Sequence, residues 1–339
     1  MPGRFLFLLR YGFAYVDRKI ELEDGSKTTQ LEKHVMRYQQ LFASLAIRKK
    51  LDNGIKSGII WHTQGSGKTA LAYYSVRSLT DFYAAKNTAV KFYFIVDRLD
   101  LMEQAKDEFV ARGLSVRTAN SRDELMSDIR STNLTENAEG KAEIMVVNIQ
   151  KFKQDSAKIQ IDSNYSIQLQ RIFFIDEAHR GYNPHGSFLA NLLAADKDAI
   201  KIALTGTPLL KEERESWRVF GDYIDIYDMT QAVEDGATRP VYYESRVVKL
   251  KLDENTLRTI DKEYDLMAAQ ADQGVIEQSK HELSRMEAIL GNDATINTLV
   301  TDILDHYENN RENLLTGKAM IVAYSREIAM KIYHRILEI

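Results

Sequence analysis

The sequence predicts an α/β fold with a parallel sheet, on three observations. Short apolar runs alternate with helical stretches, a glycine-containing loop joins one run to a helix, and an acidic pair closes another. The runs are Gly58 to Trp61, Val90 to Val96, Glu143 to Ile149, Arg171 to Ile175 and Ala199 to Leu204. Each is too apolar for a strand with one wet face, so each is read as a strand buried on both. Leu99 to Arg112 places Leu101, Ala105 and Phe109 at four-residue spacing and runs into Gly113, a helix stop. Strands joined through helices pair in parallel with right-handed crossovers.

The bulk numbers bound the rest. With 339 residues, 44% of them hydrophobic, the chain is long enough for one large or two medium domains, each with its own core. Lys and Arg number 45 against 49 Asp and Glu, a net charge of -4. No overall field draws in polyanions, so contact with nucleic acid must come from local basic groups or backbone amides. The chain has no cysteine, which excludes disulfides, zinc–thiolate sites, iron–sulfur clusters and thiol nucleophiles within it. Phe5 to Leu9 is broken by Arg10 and lacks a small-residue cleavage site, and no apolar stretch reaches the roughly 20 residues of a membrane span. A soluble cytoplasmic protein with no membrane partner is the expectation.

Ser57-Gly-Ile-Ile-Trp-His-Thr-Gln-Gly-Ser-Gly-Lys-Thr-Ala70 sets a buried strand, a glycine loop and a helix start in direct succession. That is the context of a phosphate-binding loop, with Gln64, Gly65, Ser66 and Gly67 as its turn. The two glycines reach backbone angles closed to other residues and let successive amides converge on a phosphate. Lys68 would reach the β- and γ-phosphates of ATP, Thr69 would place its hydroxyl on Mg²⁺, and the helix would aim its positive end at the anion. His62 stands where the pattern's first glycine is usual. Taken alone, the segment also reads as a glycine turn with a solvated lysine.

Arg171-Ile-Phe-Phe-Ile-Asp-Glu-Ala-His179 supplies the acids such a loop needs. Asp176 is read as the Mg²⁺ ligand, directly or through water, and Glu177 as the group that polarises the attacking water. An Asp-Glu turn after a buried strand is common by itself. Standing 108 residues after Lys68 (176 minus 68) in the same strand–helix series, it supports the loop and is supported by it.

Asp176-Glu-Ala-His179 and Thr205-Gly206-Thr207 resemble motifs II and III of superfamily 2 helicases and translocases. The resemblance implies a RecA-like P-loop NTPase domain in which His179 and the Thr-Gly-Thr segment couple the nucleotide to the nucleic-acid path. Arg37-Tyr-Gln-Gln40 resembles the upstream motif whose glutamine reads the adenine edge, which would be Gln40; a surface glutamine on an amphipathic helix competes with that reading. Narrower likenesses point to the R subunit of type I restriction enzymes. Val96-Asp-Arg-Leu-Asp-Leu-Met-Glu-Gln104 and Asn148-Ile-Gln-Lys-Phe152 resemble its motif Ia and the motif after it. Phe220-Gly-Asp-Tyr223, Gln231-Ala-Val-Glu-Asp-Gly-Ala-Thr238 and Tyr242-Tyr-Glu-Ser-Arg246 are similar to the segment joining the two motor domains, and Lys318-Ala-Met-Ile-Val-Ala-Tyr-Ser-Arg326 to motif IV.

The resemblance implies an ATP- and Mg²⁺-dependent translocase on double-stranded DNA, in complex with methyltransferase and specificity subunits. DNA phosphates would be met near Arg98, Gln150 and Lys151, against the plainer reading of the two cations as solvated surface charges. The expected organisation is a lead-in over 1–30, either a linker or the end of a nuclease region, and a first RecA-like domain over 31–238. An extended segment and helical linker would follow over 239–317, with the opening of a second RecA-like domain over 318–339. From Asp253 to Lys318 the chain carries 14 acidic against 6 basic residues on a helical pattern, which reads as solvated helix faces. No nuclease domain and no later arginine-bearing motif is found, so a fragment that hydrolyses ATP slowly by itself is expected. Two rivals stand beside this: a binding or assembly module without catalysis, and another P-loop phosphotransferase, which leaves Thr205-Gly206-Thr207 unexplained.

Overall fold

A computed structural model of the chain describes residues 2–22, 25–119, 121–131, 141–149, 168–177, 192, 196–207, 220–243, 287, 289–310 and 319–339. The chain divides into two compact units, Met1–Pro240 and Val241–Ile339.

The first unit is built on a seven-stranded sheet. Its strands are β3 (Ser57–His62), β4 (Ala89–Val96), β5 (Ser115–Ala119), β6 (Glu143–Asn148), β7 (Leu169–Asp176), β8 (Ile200–Thr205) and β9 (Tyr223–Tyr227). They lie in the order β5-β6-β4-β7-β8-β3-β9, every neighbouring pair parallel. All five expected strands form, and the expected helix appears as α4 (Leu99–Ala111), with Gly113 at φ +82° behind it.

Alternation along the strands explains the fully apolar runs. Ile60, Phe92, Phe94, Val96, Ile172 and Phe174 face one core, which α2 (Tyr38–Asp52), α3 (Lys68–Ala84) and α4 cover. Ile59, Tyr93, Ile95, Phe173 and Ile175 face the other, covered in part by α5 (Arg122–Arg130) through Leu125, Met126 and Ile129. Successive side chains of a strand point to opposite faces, so a central strand between two helical layers needs apolar residues at every position.

The first thirty residues are more than a lead-in. α1 (Pro2–Tyr11) and an antiparallel hairpin of β1 (Phe13–Glu21) and β2 (Lys27–Val35) bring Phe7, Tyr11, Ala14 and Val16 into the first of these cores. The short α6 (Met229–Glu234) follows β9, capped by Asp228, which accepts the Gln231 amide at 2.9 Å.

In the second unit, α7 (Asp293–Asn310) packs on α8 (Arg326–Glu338) through Ile296, Val300, Ile328 and Ile332. The strand expected at Ala319 to Tyr324 is not formed: 319–323 carry no ladder, and Met320 and Val322 are 87% and 82% exposed. A strand exists only by pairing, and the described residues of this unit contain none to pair with it. Residues 244–286 and 311–318, with most of the expected linker, lie outside the described residues.

On the α5 face, the amino ends of the strands carry buried charge. Lys91 of β4 donates from Nζ to the Asp128 carbonyl at 2.7 Å and pairs with the Asp128 carboxylate, which also takes Arg117 and the Tyr93 hydroxyl. Burial pushes the Lys91 ammonium below its ordinary pKa, and Asp128 opposes the shift. Replacing Asp128 by alanine removes that carboxylate from a buried cation and is expected to cost about 3 kcal/mol. The denaturation midpoint of the variant checks this, and a loss no larger than that of an exposed pair contradicts it.

Candidate functional site

The register aligns the carboxyl ends of three adjacent strands. Trp61 of β3 is level with Thr205 of β8, and Asp176 of β7 is level with Leu204. Two strand spacings of ~4.8 Å put β7 about 10 Å from β3, with β8 between them. Whatever follows these strand ends converges on one place at the sheet's carboxyl edge.

After β3 comes the glycine loop. Gly65 and Gly67 take φ +79° and +86°, in the left-handed region that L side chains avoid. A Cβ on Gly65 would meet nothing within 4 Å, whereas one on Gly67 would lie 2.3 Å from Gln40 Nε2. Gly67 is thus fixed twice, by its backbone angle and by the glutamine pressed against it. Gln40 Nε2 donates to the Gly67 carbonyl at 3.0 Å, and its Oε1 accepts the Arg37 amide at 2.9 Å. Gln39 Nε2 donates to the Ser66 carbonyl at 3.3 Å, and Arg37 Nη1 to that of Gly65 at 3.1 Å. The start of α2 therefore clamps the loop from outside. Neither Gln39 nor the Arg37 guanidinium was assigned a role from sequence, although both stand in the Arg37-Tyr-Gln-Gln40 stretch.

His62 occupies the usual glycine position without disturbing this turn. Its side chain is fully buried and turned to β9, where Nε2 lies 2.7 Å from Asp225 Oδ2 and the ring meets Tyr227 edge-on. Only its carbonyl serves the loop, accepting from Lys68 Nζ at 3.1 Å.

Opposite Lys68 stand the acids. Asp176 Oδ1 is buried without a hydrogen-bond partner, and Asp176 is pushed up to about 6, chiefly by burial and then by Glu177, with Lys68 opposing. Burial also lowers Lys68, while Asp176 and Glu177 raise it. Asp97, after β4, adds a further buried carboxylate whose Oδ1 has no partner, near enough to raise Asp176. Its place inside the Val96 to Gln104 motif was the available signal. Glu177 sits at φ +46°, a conformation costing a non-glycine residue on the order of 1 kcal/mol and concentrated at functional sites.

Gln40, Gln64, Gly65, Gly67, Lys68, Thr69, Asp176 and Glu177 line one cavity of about 720 Å³. Ser66 is buried behind the loop. Thr205 lies buried at the end of β8, its Oγ1 donating to the Thr207 carbonyl at 3.0 Å and accepting the Thr207 amide at 3.3 Å. Between them a Cβ on Gly206 would come within 3.3 Å of Lys68 Nζ and 3.0 Å of Gln64 Cγ, so the Thr-Gly-Thr turn lies against the loop lysine. Arg98 stands apart and exposed, paired with Asp100 at 3.1 Å. His179, Gln150 and Lys151 lie outside the described residues.

The SWI2/SNF2 ATPase profile matches residues 39–311, well over half of the chain. The chain belongs to the SWI2/SNF2 ATPase family. Among curated relatives, the protein named as the MjaIXP type I restriction enzyme endonuclease subunit of Methanocaldococcus jannaschii is 31% identical over 98% of this chain. The HindI endonuclease subunit of Haemophilus influenzae, also type I, is 30% identical over 83%. The chain spans 31% and 26% of their lengths. Among solved structures it is similar to a Sulfolobus solfataricus SWI2/SNF2 ATPase core in complex with dsDNA, at 14% identity and TM-score 0.36, covering 89% of this chain and 64% of that one.

The double constraint on Gly67 is testable. Gly67→Ala is expected to destabilise by about 2 kcal/mol through its positive φ and the overlap with Gln40. Combining it with Gln40→Ala relieves the overlap alone, so the two changes should be non-additive by at least ~0.5 kcal/mol in a double-mutant cycle of unfolding free energies. Strict additivity contradicts the contact.

Proposed function

We propose that the chain is the ATP-driven, double-stranded DNA-translocating motor portion of a type I restriction-modification R subunit. It would work in complex with methyltransferase and specificity subunits, with His179 and Thr205-Gly206-Thr207 coupling the nucleotide to the DNA path. One observation carries the reading above all: a half-buried lysine on a glycine loop and a half-buried carboxylate with a buried, unpartnered oxygen line the same cavity, which is large enough for a nucleotide.

The residues present fit Mg-ATP. Asp176 Oδ1 has no protein partner to give up, Gly65 leaves open space where a side chain would stand, and the first residues of α3, Lys68, Thr69 and Ala70, line the cavity, at the helix end that favours an anion. Thr69 and Asp176 would hold Mg²⁺, which when bound neutralises phosphate charge and orients the oxygens for in-line attack. Lys68 exchanges the His62 carbonyl for the β- and γ-phosphates. Loop amides from Gln64 to Thr69 bind phosphate oxygens, with Gln39 and Gln40 bracing the loop from behind. Glu177, held at the strand end in its left-handed conformation, orients a water and accepts its proton. Gly206, packed on Lys68, sets the Thr205-Gly206-Thr207 turn beside the same phosphates.

Lys68→Ala is expected to abolish Mg-ATP binding in equilibrium titration. Glu177→Gln should bind ATP within about threefold of the parent while losing at least ~100-fold in hydrolysis, the order general-base removal gives. Full hydrolysis in either variant contradicts the assignment. For the DNA path, Arg98→Glu with Lys151→Glu should weaken DNA binding and reduce the slope of log affinity against log salt by roughly 2, one for each phosphate that the variant no longer neutralises. An unchanged slope removes both residues from the path.

A further inference from the structure

Asp97 is a buried acid at the carboxyl edge of the sheet with no part in the chemistry above. It follows β4, the neighbour of β7. The ladder between the two strands runs to Ile95 and Ile175, which sets Val96 beside Asp176 and Asp97 one residue further on. With strands ~4.8 Å apart and a rise of ~3.3 Å per residue, the backbones at Asp97 and Asp176 are about 6 Å apart. Their carboxylates are close enough for Asp97 to push Asp176 up.

Asp97 is only 8% exposed, and its Oδ1 is buried with no hydrogen-bond partner among the described residues. The nearby cations are engaged elsewhere. Lys68 is drawn to Asp176 and Glu177, and the Arg98 side chain, half exposed, pairs with Asp100 at 3.1 Å. A carboxylate in this state has lost its hydration with nothing in return, a desolvation cost that a neutral side chain of the same shape would avoid. Buried polar atoms without a partner are few, and each calls for an ion, a ligand or a water to complete it. DNA phosphates, which suit the neighbouring Arg98, would be repelled by it.

The place of Asp97 narrows the choice. It does not line the cavity, and Asp97, Asp176 and Glu177 are not set to hold one ion together. Asp97 therefore stands behind Asp176, within reach of the metal site by way of a water.

We propose that Asp97 is a positioning residue of the metal site, accepting a hydrogen bond from a water on the ion held by Thr69 and Asp176, and that it sets how tightly the nucleotide complex holds its divalent cation. The inference rests on the nucleotide reading of the cavity. It gives Asp97 opposite effects in two conditions. Without ligands the carboxylate lacks a donor and repels Asp176, which destabilises the fold; with metal and nucleotide bound it stabilises the complex. A carboxylate kept only for packing would stabilise the protein in both.

The test is Asp97→Asn, which keeps the shape of the side chain and removes its charge. Mn²⁺ is the probe, its free concentration read by electron paramagnetic resonance in the presence of the β,γ-imido analogue of ATP. The expected result is a roughly tenfold weaker Mn²⁺ affinity of the protein–nucleotide complex, the scale of one charge-assisted hydrogen bond. The affinity for the analogue in EDTA is expected to hold, and the unfolding midpoint of the ligand-free variant to rise. Unchanged Mn²⁺ affinity in Asp97→Asn, with Asp176→Asn still weakening it, overturns the inference and leaves the nucleotide reading standing. A lower midpoint, or an equal loss of affinity for the analogue in EDTA, marks a packing role and also overturns it. If the parent holds the analogue with Mn²⁺ no more tightly than Lys68→Ala does, the nucleotide reading itself fails.

Discussion

Lys68 and Asp176 are half-buried at the same edge of the sheet, and each makes the other's charged form tolerable. Burial works against both charges, lowering the ammonium's pKa and raising the carboxylate's, and their mutual attraction opposes it on each side. Such an arrangement requires the strands that carry them to end level, and the unbroken parallel register of β3, β8 and β7 meets that requirement. The two helical layers exist to bury both faces of those strands, so the apolar runs, the crossovers and the site are consequences of one geometry.

Around that pair, the loop is held from two sides. The first turn of α2 grips its carbonyls through Gln39, Gln40 and Arg37, while β9 anchors its entry through His62 and Asp225. This accounts for the histidine at a position where glycine is usual: the side chain has a buried partner on the neighbouring strand, and the turn uses only its carbonyl. The backbone at Glu177 stores a modest strain at the point where a carboxylate must face the cavity.

What was legible in the sequence follows the same physics. Central parallel strands such as Phe92 to Val96 and Ile172 to Ile175 must be apolar throughout, so they announce themselves. β5 and β9 sit at the edges, half exposed, and their mixed composition hid them. The hairpin of β1 and β2 was hidden by polar residues such as Lys27 to Gln30, although Asp24-Gly25 between two β-prone runs is a hairpin signal. Gly67, Lys68 and Asp176 were readable because backbone angle and charge admit few residue types at those points. Asp225 was not, because nothing local demands it; its partner His62 is set only by how β9 pairs with β3. The expected strand after Lys318 failed for a related reason, since a strand is a property of its neighbours.

The most direct test is a crystal structure of the chain with Mg²⁺ and a non-hydrolysable ATP analogue. The account predicts that Lys68 Nζ leaves the His62 carbonyl for the β- and γ-phosphates, with the metal held between Thr69 and Asp176. A nucleotide bound elsewhere, or Lys68 still on the His62 carbonyl with Asp176 turned from the metal, would contradict it.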